Sequence, residues 1–216
     1  MNFRAVIFDL DGTLADTLED IADAMNRVLS SLGYPAHKYD EYRFLVGNGI
    51  KNLVKKSLPE SAQTEENIET CFRYMMDDYE NNYLNKTSLY TGIPDLLDKL
   101  SSDHVKLAVL SNKADSITQK ICDVLLKNWP FTLIMGANNR FPRKPDPQSA
   151  LYIAEYMELK PRDICYLGDS DVDMQTANAA GFFSIGAGWG FRPKKELIDS
   201  GAKKVIDFPT EMLSLF

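Results

Sequence analysis

The chain has 216 residues, 44% hydrophobic and 25% charged, enough for one sizeable core or a core with a small second domain. A formal net charge of −7 and a pI near 4.9 lack the basic footprint of nucleic-acid binders, so no nucleic-acid partner is expected, and an anionic ligand would need a local cation. Cys71, Cys122 and Cys165 are odd in number and widely spaced, so neither a disulfide framework nor a close-spaced zinc site is indicated and reduced, mostly buried thiols are expected. No apolar run approaches the ~20 residues that span a bilayer, and the N-terminus enters a strand within a few residues; the expectation is a cytoplasmic protein with no membrane partner.

Ala5–Phe8 is a short apolar run stopped by a polar turn containing Gly12, the pattern of a strand buried on both faces. Side chains two apart on an extended backbone point the same way, so Asp9 and Asp11 are expected to project together beyond its carboxyl end. Ile21, Ala22, Met25, Val28, Leu29 and Leu32 then recur at helical spacing until Gly33 and Pro35 stop them. After a polar loop come Tyr42–Val46, the turn Gly47-Asn48-Gly49, a basic helical stretch over Ile50–Leu58 and an amphipathic helix from Glu65 to about Tyr83.

From Thr91 the pattern alternates. A helix begins at Ile93-Pro94, Val105–Leu110 reads as a strand, Ser116–Leu126 as a helix and Phe131–Met135 as a strand. Gln148–Met157 is expected to be helical, Ile164–Leu167 a strand and Asp171–Ala180 a helix stopped by Gly181; Phe182–Ile185 and Lys204–Ile206 close the series as strands. The fold class is therefore α/β, a doubly wound, Rossmann-like parallel sheet with helices on both faces. About seventy helical residues separate the first strand from this alternation, which implies an insertion: a core of 1–15 and 87–216 and a helical domain of 16–86, placed to act as a lid beside Asp9 and Asp11.

Ligands of open parallel sheets bind at the carboxyl ends of the strands. Asp9, Asp11 and Thr13 follow the first strand, Ser111 and Asn112 the Val105 strand, and Gly168, Asp169, Ser170 and Asp173 the Ile164 strand; Lys144 lies in the loop after the Phe131 strand. Taken singly, each has an ordinary explanation: Ser111 and Asn112 as a helix cap, Lys144 as a solvated loop lysine, Asp169 and Asp173 as an acidic first turn. Their coincidence at one sheet edge does not. Two carboxylates ~4 Å apart repel by ~4 kcal/mol at an effective dielectric near 20, and four multiply that cost, which a divalent cation relieves. An all-oxygen donor set without His or Cys favours Mg²⁺.

Asp9-Leu10-Asp11-Gly12-Thr13-Leu14 with Asp16-Thr17 resembles the first motif of the haloacid dehalogenase superfamily, in its phosphatase branch. Ser111 resembles the second motif, Lys144 in Arg-Lys-Pro-Asp-Pro the third, and Gly168-Asp169-Ser170-Asp171-Val172-Asp173 the fourth. The whole chain takes part, the insert is similar to that superfamily's cap domain, and the nearest likeness is to the phosphoglycolate phosphatase-like group.

The resemblance implies that Asp9 is the nucleophile and that Asp11 protonates the leaving alkoxide, then activates water. It implies Mg²⁺ on Asp9, the Asp11 carbonyl and Asp169, with Asp173 orienting metal-bound water or Lys144. Gly12, Ser111, Asn112 and Lys144 would bind the phosphoryl oxygens. Arg43, Gly47, Asn48, Gly49 and Lys51 of the cap are the candidate specificity residues, with an ordinary loop and a solvated helix face as the alternative. The expected partner is a small-molecule phosphate ester, phosphoglycolate first, and the chain a monomer or homodimer. The rivals are a phosphomutase similar to β-phosphoglucomutase and a non-catalytic phospho-acceptor like a receiver domain.

Overall fold

The computed structural model describes residues 3–216 and divides into two compact units: residues up to Asp16 together with Leu89–Phe216, and Thr17–Ser88. In the first, β1 (Ala5–Phe8) is followed by the short β2 (Ala15–Asp16), whose later partner is β3 (Ser88–Leu89). Two-residue strands have no room to show an alternation, so neither was visible in the sequence pattern.

The main sheet adds β4 (Lys106–Ala114), β5 (Phe131–Ala137), β6 (Ile164–Gly168), β7 (Phe183–Ala187) and β8 (Lys204–Ile206). Its order is β5-β4-β1-β6-β7-β8, and every pairing is parallel. That order puts β1 between β4 and β6, so the carboxyl ends carrying Asp9, Ser111 and Asp169 lie side by side. The register matches Phe8 to Val109 on one neighbour and to Leu167 on the other.

The helices of this unit are α5 (Ile93–Ser102), α6 (Asp115–Leu125), α7 (Gln148–Tyr156), α8 (Asp171–Ala179) and α9 (Lys194–Asp199). On one sheet face Ala5, Ile7, Ala108, Leu110 and Tyr166 pack with Ile153 and Ala177 into a buried core. β1 is buried along its whole length, so both of its faces are covered, as its unbroken apolar run requires.

β4 departs furthest from expectation; β5 and β7 each run two residues further than expected, to Ala137 and Ala187. The run read over Val105–Leu110 begins at Lys106 and continues to Ala114, with irregular register against β5 between Leu110 and Ala114. Ser111, Asn112 and Lys113 therefore belong to the strand itself. Their polarity looked like a strand end because here the strand leaves the apolar core for the site.

The second unit contains α1 (Leu18–Ser31), α2 (Tyr39–Leu45), α3 (Ile50–Ser57) and α4 (Glu65–Asn82). Met25, Leu29, Tyr42, Met75 and Tyr79 are fully buried in it. Arg27 and Asp78 join α1 to α4 at 2.6 Å, and buried Asp20 accepts the N–H groups of Lys86 and Thr87, which ties the end of the unit back to its first helix. Among the described residues no helix is long and apolar enough to cross a membrane.

Candidate active site

The loop after β1 is a tight turn in which the N–H groups of Leu14 and Ala15 donate to the Leu10 carbonyl and that of Gly12 to the Ala15 carbonyl. Gly12 has φ +81°, and a Cβ there would collide with the Asp169 carboxylate. Only glycine meets both demands. Asp9 is 8% exposed; its Oδ1 accepts from the Leu10 N–H at 2.7 Å and lies 2.9 Å from Lys144 Nζ.

β6 and α8 place the acidic pair. Asp169 Oδ2 accepts from the Phe191 N–H at 2.7 Å, and its Oδ1 from Thr13 Oγ1 at 3.3 Å. Asp173 sits in the first turn of α8, where Ser170 donates both N–H and Oγ–H to Oδ2, a reciprocal helix cap. Its Oδ1 accepts from Lys144 Nζ at 2.6 Å and from the Tyr166 hydroxyl at 3.2 Å. Gly168 leaves room for this carboxylate, because a Cβ there would run into it.

Lys144 is buried among Asp9, Asp173 and Tyr166, whose hydroxyl is 3.1 Å away. Burial by itself disfavours its ammonium, yet attraction to Asp173 and Asp9 holds its pKa well above the usual lysine value. Its backbone is clamped by Asn112, whose Nδ2 donates to the Lys144 carbonyl at 3.0 Å and whose Oδ1 accepts the Lys144 N–H at 2.9 Å. This gives Asn112 a part in holding Lys144 that the sequence did not suggest. Ser111 Oγ accepts the Lys113 N–H at 3.2 Å.

Burial first, and then the Asp173 charge, raises the Asp9 carboxyl to about 7 against the attraction of Lys144. Burial, then Asp173 and Asp9, pushes Asp169 up as well, while the Phe191 N–H pulls it down. A carboxylate cluster that resists ionisation in its own field calls for a cation. Oxygens of Asp9, Asp169 and Asp173 all lie within 4.8 Å of one another, an all-oxygen set that fits Mg²⁺. Lys144, Tyr166 and Ser170 engage both oxygens of Asp173, the strongest hydrogen-bond demand on any member of the set.

Besides the Phe191 N–H on Asp169, four contributors were missed by sequence reasoning. Lys113 Nζ bonds both Asp11 oxygens, at 2.8 and 3.0 Å; its place two residues after Ser111 on an extended strand was the available signal. Tyr166 anchors Lys144 and Asp173 from within β6. Trp189 Nε1 donates to the Thr13 carbonyl at 3.1 Å. Gly190 packs so closely on Asp169 and the Gly12 carbonyl that a Cβ would not fit. The expected cap residues lie together in the helical unit: Gly47 and Gly49 have φ of +119° and +82°, Lys51 pairs with Glu69 at 3.0 Å, and Arg43 is 3.7 Å from Asp40. Asn48 stands between the two glycines.

Comparison with known proteins supplies the family. The phosphoglycolate phosphatase 1 of Pseudomonas aeruginosa is 29% identical over 214 residues, covering 97% of this chain and 78% of its own. The Aquifex aeolicus phosphoglycolate phosphatase is 34% identical over 188 residues, covering 87% and 86%. A crystal structure described as a predicted phosphoglycolate phosphatase from Haemophilus somnus matches with a TM-score of 0.92 at 26% identity, over 100% of this chain and 98% of that one. The haloacid dehalogenase-like hydrolase profile matches residues 6–187, and with the aspartates, Ser111 and Lys144 gathered at one sheet edge this chain belongs to that family.

Proposed function

We propose that the chain is a Mg²⁺-dependent phosphatase acting on a small phosphate monoester, 2-phosphoglycolate first, through an aspartyl-phosphate on Asp9. The observation that carries this reading is the pairing of Asp9 and Asp11 at the end of β1, each held by its own lysine: Lys144 2.9 Å from Asp9, and Lys113 2.8 Å from Asp11. Two carboxylates in distinct environments suit two roles. The names of the relatives at 29% and 34% identity supply the substrate.

Asp9, oriented by Lys144 and the Leu10 N–H, attacks phosphorus; the new P–O bond forms as the ester P–O bond breaks. Asp11 gives its proton to the departing alkoxide. As a carboxylate it then takes a proton from water, whose oxygen bonds to phosphorus while the Asp9–phosphorus bond breaks, so Asp9 is restored and inorganic phosphate leaves. Asp9 and Asp169 would hold Mg²⁺, which when bound would supply positive charge against the phosphoryl dianion. Asp173 fixes Lys144, which with Ser111 and backbone N–H groups near Gly12 offsets charge on the phosphoryl oxygens. The helical unit is the proposed cap, and Arg43, Gly47, Asn48, Gly49 and Lys51 its contribution to leaving-group choice.

The test is steady-state phosphate release from 2-phosphoglycolate with Mg²⁺ and no bisphosphate activator. Many turnovers per chain are expected. A strict bisphosphate requirement would instead indicate a phosphomutase, and one phosphate per chain a phospho-acceptor module.

A further inference from the structure

We propose that Lys113 is a specificity residue which receives an anionic group on the leaving-group side of the ester, so that the site favours monoesters bearing a carboxylate on the carbon next to the ester oxygen. The inference rests on the phosphatase reading above and supplies its substrate class.

Lys113 Nζ covers both oxygens of Asp11, at 2.8 and 3.0 Å, and the two side chains are only 3% and 14% exposed. Asp11 is the group proposed to work on the ester oxygen, which requires one of its oxygens to come within ~3 Å of that atom. To protonate that atom Asp11 must carry a proton on this oxygen, which removes its negative charge and weakens its hold on Lys113. The other ammonium of the site, Lys144, is already bound to Asp9, Asp173 and Tyr166. Lys113 is rooted in β4, so its ammonium stays in the site when Asp11 turns to the substrate. Leaving a buried ammonium with a weakened counter-charge is costly.

A leaving group can supply the replacement. With Lys113 on one Asp11 oxygen and the ester oxygen at the other, ~2.2 Å away, the two are no more than ~8 Å apart, and within ~6 Å when both approach the carboxylate from the same side. A carboxylate on the adjacent carbon extends ~3 Å from the ester oxygen and so comes within hydrogen-bond reach of the ammonium. A neutral alkyl group of the same size offers nothing in exchange. Discrimination thus arises from the partner Lys113 is given as much as from the one it loses.

Binding is measured by calorimetry with Mg²⁺ in the Asp9→Asn background, which separates recognition from chemistry. The ligands are 2-phosphoglycolate and ethyl phosphate, equal in carbon number and differing in the carboxylate. The Asp9→Asn protein is expected to prefer 2-phosphoglycolate by about tenfold or more, the value of a charge-assisted contact. Adding Lys113→Met should bring the two dissociation constants to within about threefold, and Lys113→Arg should keep the preference. Lys113→Gln, which retains a polar contact for Asp11, takes the place of Met if circular dichroism shows that variant to be unfolded. A preference unchanged by Lys113→Met or Gln, or an equal loss for both ligands, overturns the proposal and leaves Lys113 serving Asp11 alone. Turnover of p-nitrophenyl phosphate by the unmodified protein reads the phosphatase assignment separately. Its absence sinks that assignment, while the ratio of dissociation constants still decides the role of Lys113.

Discussion

Replacing Asp9 by Asn in the metal-free protein isolates the electrostatic cost of the buried cluster. The Asp9 carboxyl is raised from 3.8 to about 7, first by burial and then by the Asp173 charge, with Lys144 opposing. A carboxyl raised in the folded state holds its proton there after the unfolded chain has released it. Its stabilising contribution is complete below pH 3.8 and is lost as pH rises through about 7. The whole interval corresponds to ~4 kcal/mol as an upper bound, of which ~2–3 kcal/mol falls between pH 5 and pH 8. Asn does not titrate, so the melting temperature of Asp9→Asn relative to the unmodified protein should rise by ~5–10 °C between those two pH values, at ~2–4 °C per kcal/mol for a protein of this size. Thermal melts of both proteins in EDTA at pH 5 and pH 8 give this difference of differences, in which titrating groups away from the cluster cancel, while Asp169, which the Asp9 charge also raises, shifts with the substitution in the same direction. Adding Mg²⁺ at pH 8 should stabilise the unmodified protein more than the variant. An offset between the two proteins that is the same at both pH values would show that Asp9 is not electrostatically burdened, and the case for a cation would lose its physical basis.

Chelation should abolish phosphatase activity and Mg²⁺ should restore it; full turnover in metal-free buffer would contradict the assignment of Asp9 and Asp169 to the ion. Lys144→Met leaves buried Asp173 and Asp9 without their ammonium and should cost ~3–5 kcal/mol in urea unfolding at pH 8, together with activity. A loss below ~1 kcal/mol would mean that the carboxylates find other partners. Gly190→Ala places a Cβ against Asp169 and the Gly12 carbonyl, so Mg²⁺ binding measured by calorimetry should weaken even where the fold survives. Unchanged Mg²⁺ affinity would separate this loop from the metal site. Asp11→Asn should spare p-nitrophenyl phosphate, whose p-nitrophenolate leaves without a proton, more than an alkyl ester, and should give a burst with one phosphoryl group on Asp9 by intact mass. Measurable turnover with neither burst nor adduct would remove Asp11 from the water-activating step.

Local backbone rules made much of the chain legible from sequence. The four apolar residues of β1, the polar turn at Gly12 and the helix stop at Gly181 are set by neighbours in sequence, and the sheet edge follows once parallel strands are inferred. Asp9, Asp11, Ser111, Lys144, Asp169 and Asp173 could therefore be proposed for one site before any coordinates, and the strand order brings their strand ends together. Contacts between distant positions had no such signal. Lys113 meets Asp11 across 102 positions, Trp189 reaches Thr13 across 176, and Tyr166 meets Lys144 across 22. Each pairing depends on how far β4, β6 and the loop after β7 carry their side chains toward β1, which the register of a folded sheet determines. Sequence periodicity tells which face a side chain takes; which charge it then neutralises is decided only when the strands are laid beside one another.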